Sequence, residues 1–296
     1  MKFLCLCGAY GSSEKFKVQL APLVNELSSD NTAELHFIHG PVQAFPPEGF
    51  EEYFGTAPYF RFIEGAKAED GSDDSDVLER IRNFPEGGTA EDQMRELMYM
   101  GVSATPLPSA EDNNKPEASS AQKAIDYLYR IMKDEGPFEG IIGYSEGATM
   151  AATLLLHEQW RYQTMGIPTM FKCALFFAGW PPMNPDLDAI VLADESDLTI
   201  TIPTCHVSEF KLARDAIFEL CVLTIRLVGS LDPYLAGSLA LYNVCDMDTA
   251  YLFDHAKGHT LPRHKDTVKE LGDVLRIMIS DIETDSHSSS DGSVSM

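Results

Sequence analysis

The chain has 296 residues, with 46 acidic side chains against 22 basic ones and a formal net charge of −24 at pH 7. A surface this acidic repels phosphate backbones and anionic lipid, which argues against nucleic-acid or membrane-surface binding. The length allows one large α/β domain or two small ones, with an ample core in either case.

Lys2 to Cys7 is mostly apolar and predicts a first buried strand, too short in its apolar core for a signal peptide. Gly8-Ala-Tyr-Gly-Ser-Ser13 reads as a glycine-bearing loop. Ser13 is the expected cap of a following helix with Phe16, Leu20, Leu23 and Val24 on one face. Ala33-Glu-Leu-His-Phe-Ile-His39 predicts a second strand, and strand–helix–strand implies a parallel sheet.

Residues 40–118 break this rhythm. Aromatics and prolines cluster in Phe45-Pro-Pro47, Phe50, Tyr53-Phe54 and Pro58-Tyr-Phe-Arg-Phe62. An acidic run (Glu69 to Asp76), a helix around Glu91 to Met100 and a polar stretch (Pro106 to Ser120) follow. A long excursion between strands reads as a lid or binding loop, with Met94, Met98 and Met100 as pocket-wall candidates. Helical spacing returns at Ala121, Ala124, Ile125, Leu128, Ile131 and Met132 and ends at Gly136-Pro137.

Gly143-Tyr-Ser-Glu-Gly147 spells G-x-S-x-G between a strand-like run (Phe138 to Ile142) and a helix-like one (Ala148 to Leu156). That context marks a nucleophile elbow, in which a serine sits at the apex of a sharp strand-to-helix turn. Phe171 to Phe177 and Ile202 to Val207 predict further strands. Val228-Gly-Ser-Leu-Asp-Pro233, a helix from about Leu235, the strand Ala250 to Phe253 and Gly258-His259 come next. An amphipathic helix through Val268, Leu271, Val274, Leu275 and Met278 closes a domain of residues 1–281. The Ser- and Asp-rich residues 282–296 are expected to be disordered. Six cysteines (Cys5, Cys7, Cys173, Cys205, Cys221 and Cys245) lack C-x-x-C or zinc-type spacing. Free thiols in a reducing, cytoplasmic compartment fit them, and no metal or cofactor is expected.

The elbow directs the search for partners. With the order nucleophile, acid, base along the chain, Asp232 follows an apolar run and precedes Pro233, while His259 follows the last strand. His255 is the competitor in the same loop. Ser145 would attack an acyl carbonyl, His259 would take its proton, and Asp232 would orient the imidazole. The backbone N–H of Glu146, with that of Ala9 or Tyr10, would form the oxyanion hole.

Together these pieces resemble the FSH-type serine hydrolases, α/β-hydrolases common in fungi, and their branch that includes the lovastatin-pathway thioesterase. The matching stretches are Leu4-Cys-Leu-Cys-Gly8, Phe16 with Gln19, Pro58-Tyr-Phe60, Gly136-Pro-Phe-Glu-Gly140, Gly143 to Ala148, Ile202-Pro-Thr204, Gly229-Ser-Leu-Asp232 and Gly258-His259. The resemblance implies an α/β-hydrolase fold with a mostly parallel, doubly wound sheet. It assigns Ser145, Asp232 and His259 to the triad. It implies hydrolysis of an ester or thioester, with release of a polyketide chain from the acyl carrier domain of a polyketide synthase as one role.

Two departures stand out. Cys7 occupies the place where the family's first strand usually ends in His. Twenty residues, Ser208 to Leu227, separate the strand at Ile202 from the glycine before Asp232, where the family runs almost directly. This insert (208–227) is either an extra helix or a translated intron. A carboxylesterase acting on small free esters stands as an alternative to a thioesterase, and the two departures add a second, a non-catalytic binding protein of the same fold.

Overall fold

A computed structural model describes residues 1–46, 54–64, 87–99, 119–208, 235–255 and 258–290. Its elements run β1 (Lys2–Leu6), α1 (Ser13–Gln19), α2 (Ala21–Ser28), β2 (Glu34–Ile38), β3 (Val42–Gln43), β4 (Phe60–Arg61) and α3 (Ala90–Tyr99). They continue with α4 (Ser120–Glu135), β5 (Gly140–Tyr144), α5 (Glu146–Met165), β6 (Cys173–Phe177), β7 (Thr204–Ser208), α6 (Leu235–Asn243), β8 (Ala250–Asp254) and α7 (Lys265–Ser290).

Alternation along each strand decides which layer a side chain joins. In β1, Leu4 and Leu6 enter one apolar layer, while Phe3 and Cys5, with Cys7 just beyond, enter the other. Ile141, Ala174 and Phe176 extend the first layer; Ile142, Leu175 and Phe177 extend the second. Strands β5 and β6, buried along almost their whole length, are therefore apolar on both faces, which is why they read from sequence as continuous runs. Helices α4 and α5 cover the first face through Ala124, Leu128, Met150 and Leu154. Helices α1, α2 and α7 cover the second through Phe16, Leu23, Leu271 and Leu275.

The strands form a six-stranded sheet in the order β2-β1-β5-β6-β7-β8, every pair parallel. This is an α/β-hydrolase fold with a doubly wound parallel sheet. From β1 the chain first builds outward to β2 and later returns to lay β5 on β1's other side. The crevice at the carboxyl ends of β1 and β5 is thus the topological switch point, where open α/β sheets place their ligands.

Four boundaries differ from the sequence expectation. The first helix is two helices, because Pro22 at the start of α2 cannot donate a hydrogen bond and constrains the residue before it. Its cap is Ser12, whose Oγ accepts from Lys15 N–H at 3.3 Å, rather than Ser13, which opens the helix. Ser208 is the last residue of β7, opposite Asp254, and so belongs to the sheet rather than to the inserted segment. Helix α7 continues to Ser290, into the tail expected to be disordered. Ile279 and Ile282 carry its apolar stripe onward against the second layer.

Of the 40–118 excursion, β3 and β4 pair antiparallel, with Val42 opposite Arg61 and Gln43 opposite Phe60. Helix α3 lies where a helix was expected. Its Met94 is buried with Leu97 against Leu192 and Ala240 of α6, and Asn243 Nδ2 donates to Glu91 Oε1 at 2.7 Å. The side chains of Met98 and Met100, the Glu69–Asp76 run and residues 209–234, which take in the rest of the insert and the Val228–Pro233 stretch, lie outside the described residues.

Candidate active site

Ser145 stands between β5 and α5 with φ 53° and ψ −121°, a conformation that costs a non-glycine residue roughly 1–3 kcal/mol. Surrounding contacts hold it there. Its N–H donates to Phe177 O at 2.9 Å, and its carbonyl accepts from Ala148 N–H at 2.9 Å and Thr149 N–H at 3.2 Å. The flanking glycines are required by close approach. A Cβ on Gly143 would lie 2.3 Å from Ala148 Cα, and one on Gly147 would lie 2.3 Å from Leu6 O. The strand and helix can therefore cross at this angle only without side chains at those two positions.

The loop after β1 passes directly over the serine: a Cβ on Gly8 would be 3.1 Å from Ser145 Cβ. Gly8 to Gly11 close a turn, Gly11 N–H donating to Gly8 O at 3.0 Å, with Tyr10 at φ 58°. Ala9 and Tyr10 are its two central residues, beside the nucleophile. Glu146 opens α5, so its N–H has no acceptor within the helix and lies at the positive end of the helix dipole. Cys7 packs inward, and burial, followed by the nearby Glu146 carboxylate, pushes its thiol up to about 12. It behaves as a small apolar residue, and the Gly8–Gly11 turn closes directly after it.

His259 Nε2 lies 3.3 Å from Ser145 Oγ, at the outer edge of hydrogen-bond reach. The phenol of Tyr144, the residue before the serine, donates to His259 O at 3.2 Å. The two rings are tilted with centroids 5.6 Å apart, and Tyr144 also stacks on Phe16. His255 is buried, and its backbone N–H donates to Ser208 O at 3.2 Å, continuing the β7–β8 pairing. Asp232 lies outside the described residues.

Other histidines are committed elsewhere. His206 is buried beside Phe176 and Tyr242, bonded to Thr204 Oγ1 at 3.1 Å, and desolvation lowers it to about 3, so it stays neutral. His39 stacks on Phe60 and contacts Ser13 Oγ at 3.2 Å, its pKa lowered by burial. His157 bonds the Tyr129 hydroxyl at 2.8 Å, also lowered by burial. His36 pairs with Glu135 at 2.8 Å. Among the described residues, no group of His, Cys, Asp and Glu is arranged to hold a metal ion, and no helix is long and apolar enough to cross a membrane.

Two contributors escaped the sequence reading. Arg61 pairs with Glu146 through Nε and Nη2, each 3.1 Å from Oε1, while Phe62 N–H donates to Oε2 at 2.9 Å. Tyr144 reaches the histidine loop. The signal for the first was an ionisable residue at the second x of G-x-S-x-G, and one cation within an aromatic run.

Residues 1–271 match the family described as Serine hydrolase (FSH1). Among curated relatives, Hydrolase phiM of Talaromyces stipitatus is 25% identical over 89% of this chain and 81% of its own length. Esterase FUS5 of Gibberella fujikuroi is 27% identical over 93% of this chain and 85% of its own. Among solved structures, a Bacillus cereus carboxylesterase superposes with a TM-score of 0.38 at 17% identity, covering 93% of this chain and 87% of its own.

Proposed function

The chain belongs to the FSH1 serine hydrolases, and on that premise we propose that it hydrolyses acyl esters or thioesters through Ser145, His259 and Asp232. The observation that carries this reading is the meeting of His259 Nε2 with Ser145 Oγ at 3.3 Å across 114 residues of sequence, at a serine held in a strained elbow. Ser145 Oγ adds to the carbonyl carbon as His259 takes its proton. The oxyanion then lies between Glu146 N–H and the Ala9 or Tyr10 N–H, and collapses as His259 returns the proton to the leaving alcohol or thiol. Water repeats the sequence to release the acid. Asp232 enters by its place in the chain order and by the resemblance.

The substrate assigned is the acyl or polyketide thioester of a carrier protein in fungal secondary metabolism, with the 40–118 excursion as the wall over the acyl chain. Support for the wall comes from the hydrogen bonds that Arg61 of its strand β4 and the following Phe62 make to Glu146 at the elbow. A carboxylesterase acting on small esters is the second reading.

Intact mass after treatment with a serine-directed fluorophosphonate tests the nucleophile. One adduct is expected in the wild type and none in Ser145→Ala. His259→Ala should lower the labelling rate and ester turnover by about 10³-fold or more. An equal adduct on Ser145→Ala would remove Ser145 from the mechanism. Turnover of acyl-pantetheine thioesters against matched oxygen esters separates the two substrate readings, and a preference for oxygen esters would favour the second.

A further inference from the structure

The two halves of the oxyanion-binding geometry come from different strands, and one side chain touches both. Arg61 holds Glu146 Oε1 through Nε and Nη2, and the neighbouring Phe62 N–H holds Oε2. Both carboxylate oxygens of the residue that supplies one donor are thus tied to the end of β4 and the residue after it, and that side chain is only 12% exposed. The same guanidinium lies over the Tyr10 ring, Cζ 5.5 Å from its centroid. Beneath it, Phe60 N–H donates to Gly11 O at 3.1 Å, fastening β4 to the end of the Gly8–Gly11 turn. The Tyr10 ring is covered from another side by Phe54, with centroids 4.8 Å apart.

We propose that Arg61 is a positioning residue for the oxyanion hole, setting the separation between the Glu146 N–H and the Ala9–Tyr10 turn. The inference rests on the serine-nucleophile reading above. An oxyanion needs its donors at about 2.7–3.1 Å, so small relative movement of the two loops weakens the bonds it receives. Coulomb attraction alone does not require this arrangement, since a lysine could supply it. Two planar guanidinium nitrogens converging on one carboxylate oxygen while Cζ lies over an aromatic ring is a geometry that a lysine ammonium does not reproduce. Because the oxyanion is absent from the ground state, the loss should appear in kcat rather than in KM.

The test compares Arg61→Met, Arg61→Lys and Glu146→Gln with the wild type, using p-nitrophenyl butyrate as substrate and a trifluoromethyl ketone as inhibitor. The ketone accepts Ser145 Oγ at its carbonyl carbon, His259 takes the serine proton, and the carbonyl oxygen becomes a stable oxyanion. Arg61→Met should lower kcat roughly tenfold with KM within about twofold, and raise the ketone inhibition constant by the factor lost from kcat/KM. Arg61→Lys should recover part of both. Glu146→Gln, which retains an acceptor for Phe62 N–H, should show a smaller loss than Arg61→Met. Arg276→Met is the control, because Arg276 ties α7 to Glu26 and Asp30 on the opposite layer; its inhibition constant should stay at the wild-type value even if its melting temperature falls. Unchanged ketone affinity in folded Arg61→Lys and Glu146→Gln, or a loss confined to KM, overturns the proposal. A wild type that gives no fluorophosphonate adduct overturns the serine reading and this one with it, whereas a labelled wild type beside unaffected variants overturns this one alone.

Discussion

Ser145 and His259 face each other, but the chain holds them in unlike ways. Ser145 lies between the interior strand β5 and the helix that strand launches, its backbone bonded to the end of β6 on one side and into α5 on the other, with three glycines drawn against it and its neighbours. His259 follows β8, the last strand of the sheet order, and a contact that locates it comes from the other side: the Tyr144 phenol on its carbonyl. The difference shows where strain can be stored. A positive φ persists at the serine because its surroundings over-determine it, whereas the histidine is placed by hydrogen bonds that a substrate can tighten.

The contrast breaks most severely at the elbow. In Gly147→Ala the new Cβ would meet two backbone oxygens, Leu6 O at 2.3 Å and Cys7 O at 2.5 Å, neither of which can swing aside. A loss of about 3 kcal/mol of stability is expected in urea melts, with activity lost in step. A variant as stable as the wild type would mean that the crossing is looser than described.

The far half of the same helix supplies an intermediate effect. Glu158 is buried, and although it accepts from Met170 N–H, desolvation raises it from its ordinary 4.5 to about 7. A buried carboxyl that keeps its proton more tightly than the unfolded chain does favours folding fully below about pH 4.5. That contribution falls as pH rises through about 7, above which the buried carboxylate is a constant cost. Glu158→Gln should therefore flatten stability between those limits and gain on the order of 2 kcal/mol at pH 8. Parallel stability–pH curves for the variant and wild type would contradict it.

The smallest effect belongs to the histidine side. Tyr144→Phe removes one neutral hydrogen bond to His259 O while keeping the ring against Phe16. It should cost about 1 kcal/mol, seen as roughly a fivefold loss in kcat/KM with little change in melting temperature. A large drop in stability with unchanged turnover would make the contact a structural one.

The nucleophile side was readable in the sequence because its constraints are local. Gly143, Ser145 and Gly147 lie within five residues, and the flanking runs announce strand and helix. Layer assignment was equally legible, since alternation in Leu4-Cys-Leu-Cys7 is a property of neighbours in the chain. What stayed hidden depends on distant pairings. Nothing near Arg61 in sequence indicates that it will grip Glu146, and Tyr144 looked like an interchangeable x in the motif. The split of the first helix at Pro22 was legible in principle, but the apolar spacing across it outweighed the proline. The reach of α7 to Ser290 was missed because composition registered the serines while the apolar stripe ran on to Ile282.

The side-by-side pairing of β1 and β5 at the switch point has a consequence for how the protein can be assayed. The contacts that assemble the site join residues far apart in sequence: Phe62 to Glu146 spans 84 positions, Tyr144 to His259 spans 115, and His259 to Ser145 spans 114. No isolated hairpin or helix pair contains them, so they can form only as the chain completes its slow, non-local pairings. Reactivity at Ser145 therefore reports on the last stage of folding. In a refolding experiment, covalent labelling should rise after helical circular dichroism has recovered, counting native molecules rather than merely collapsed ones.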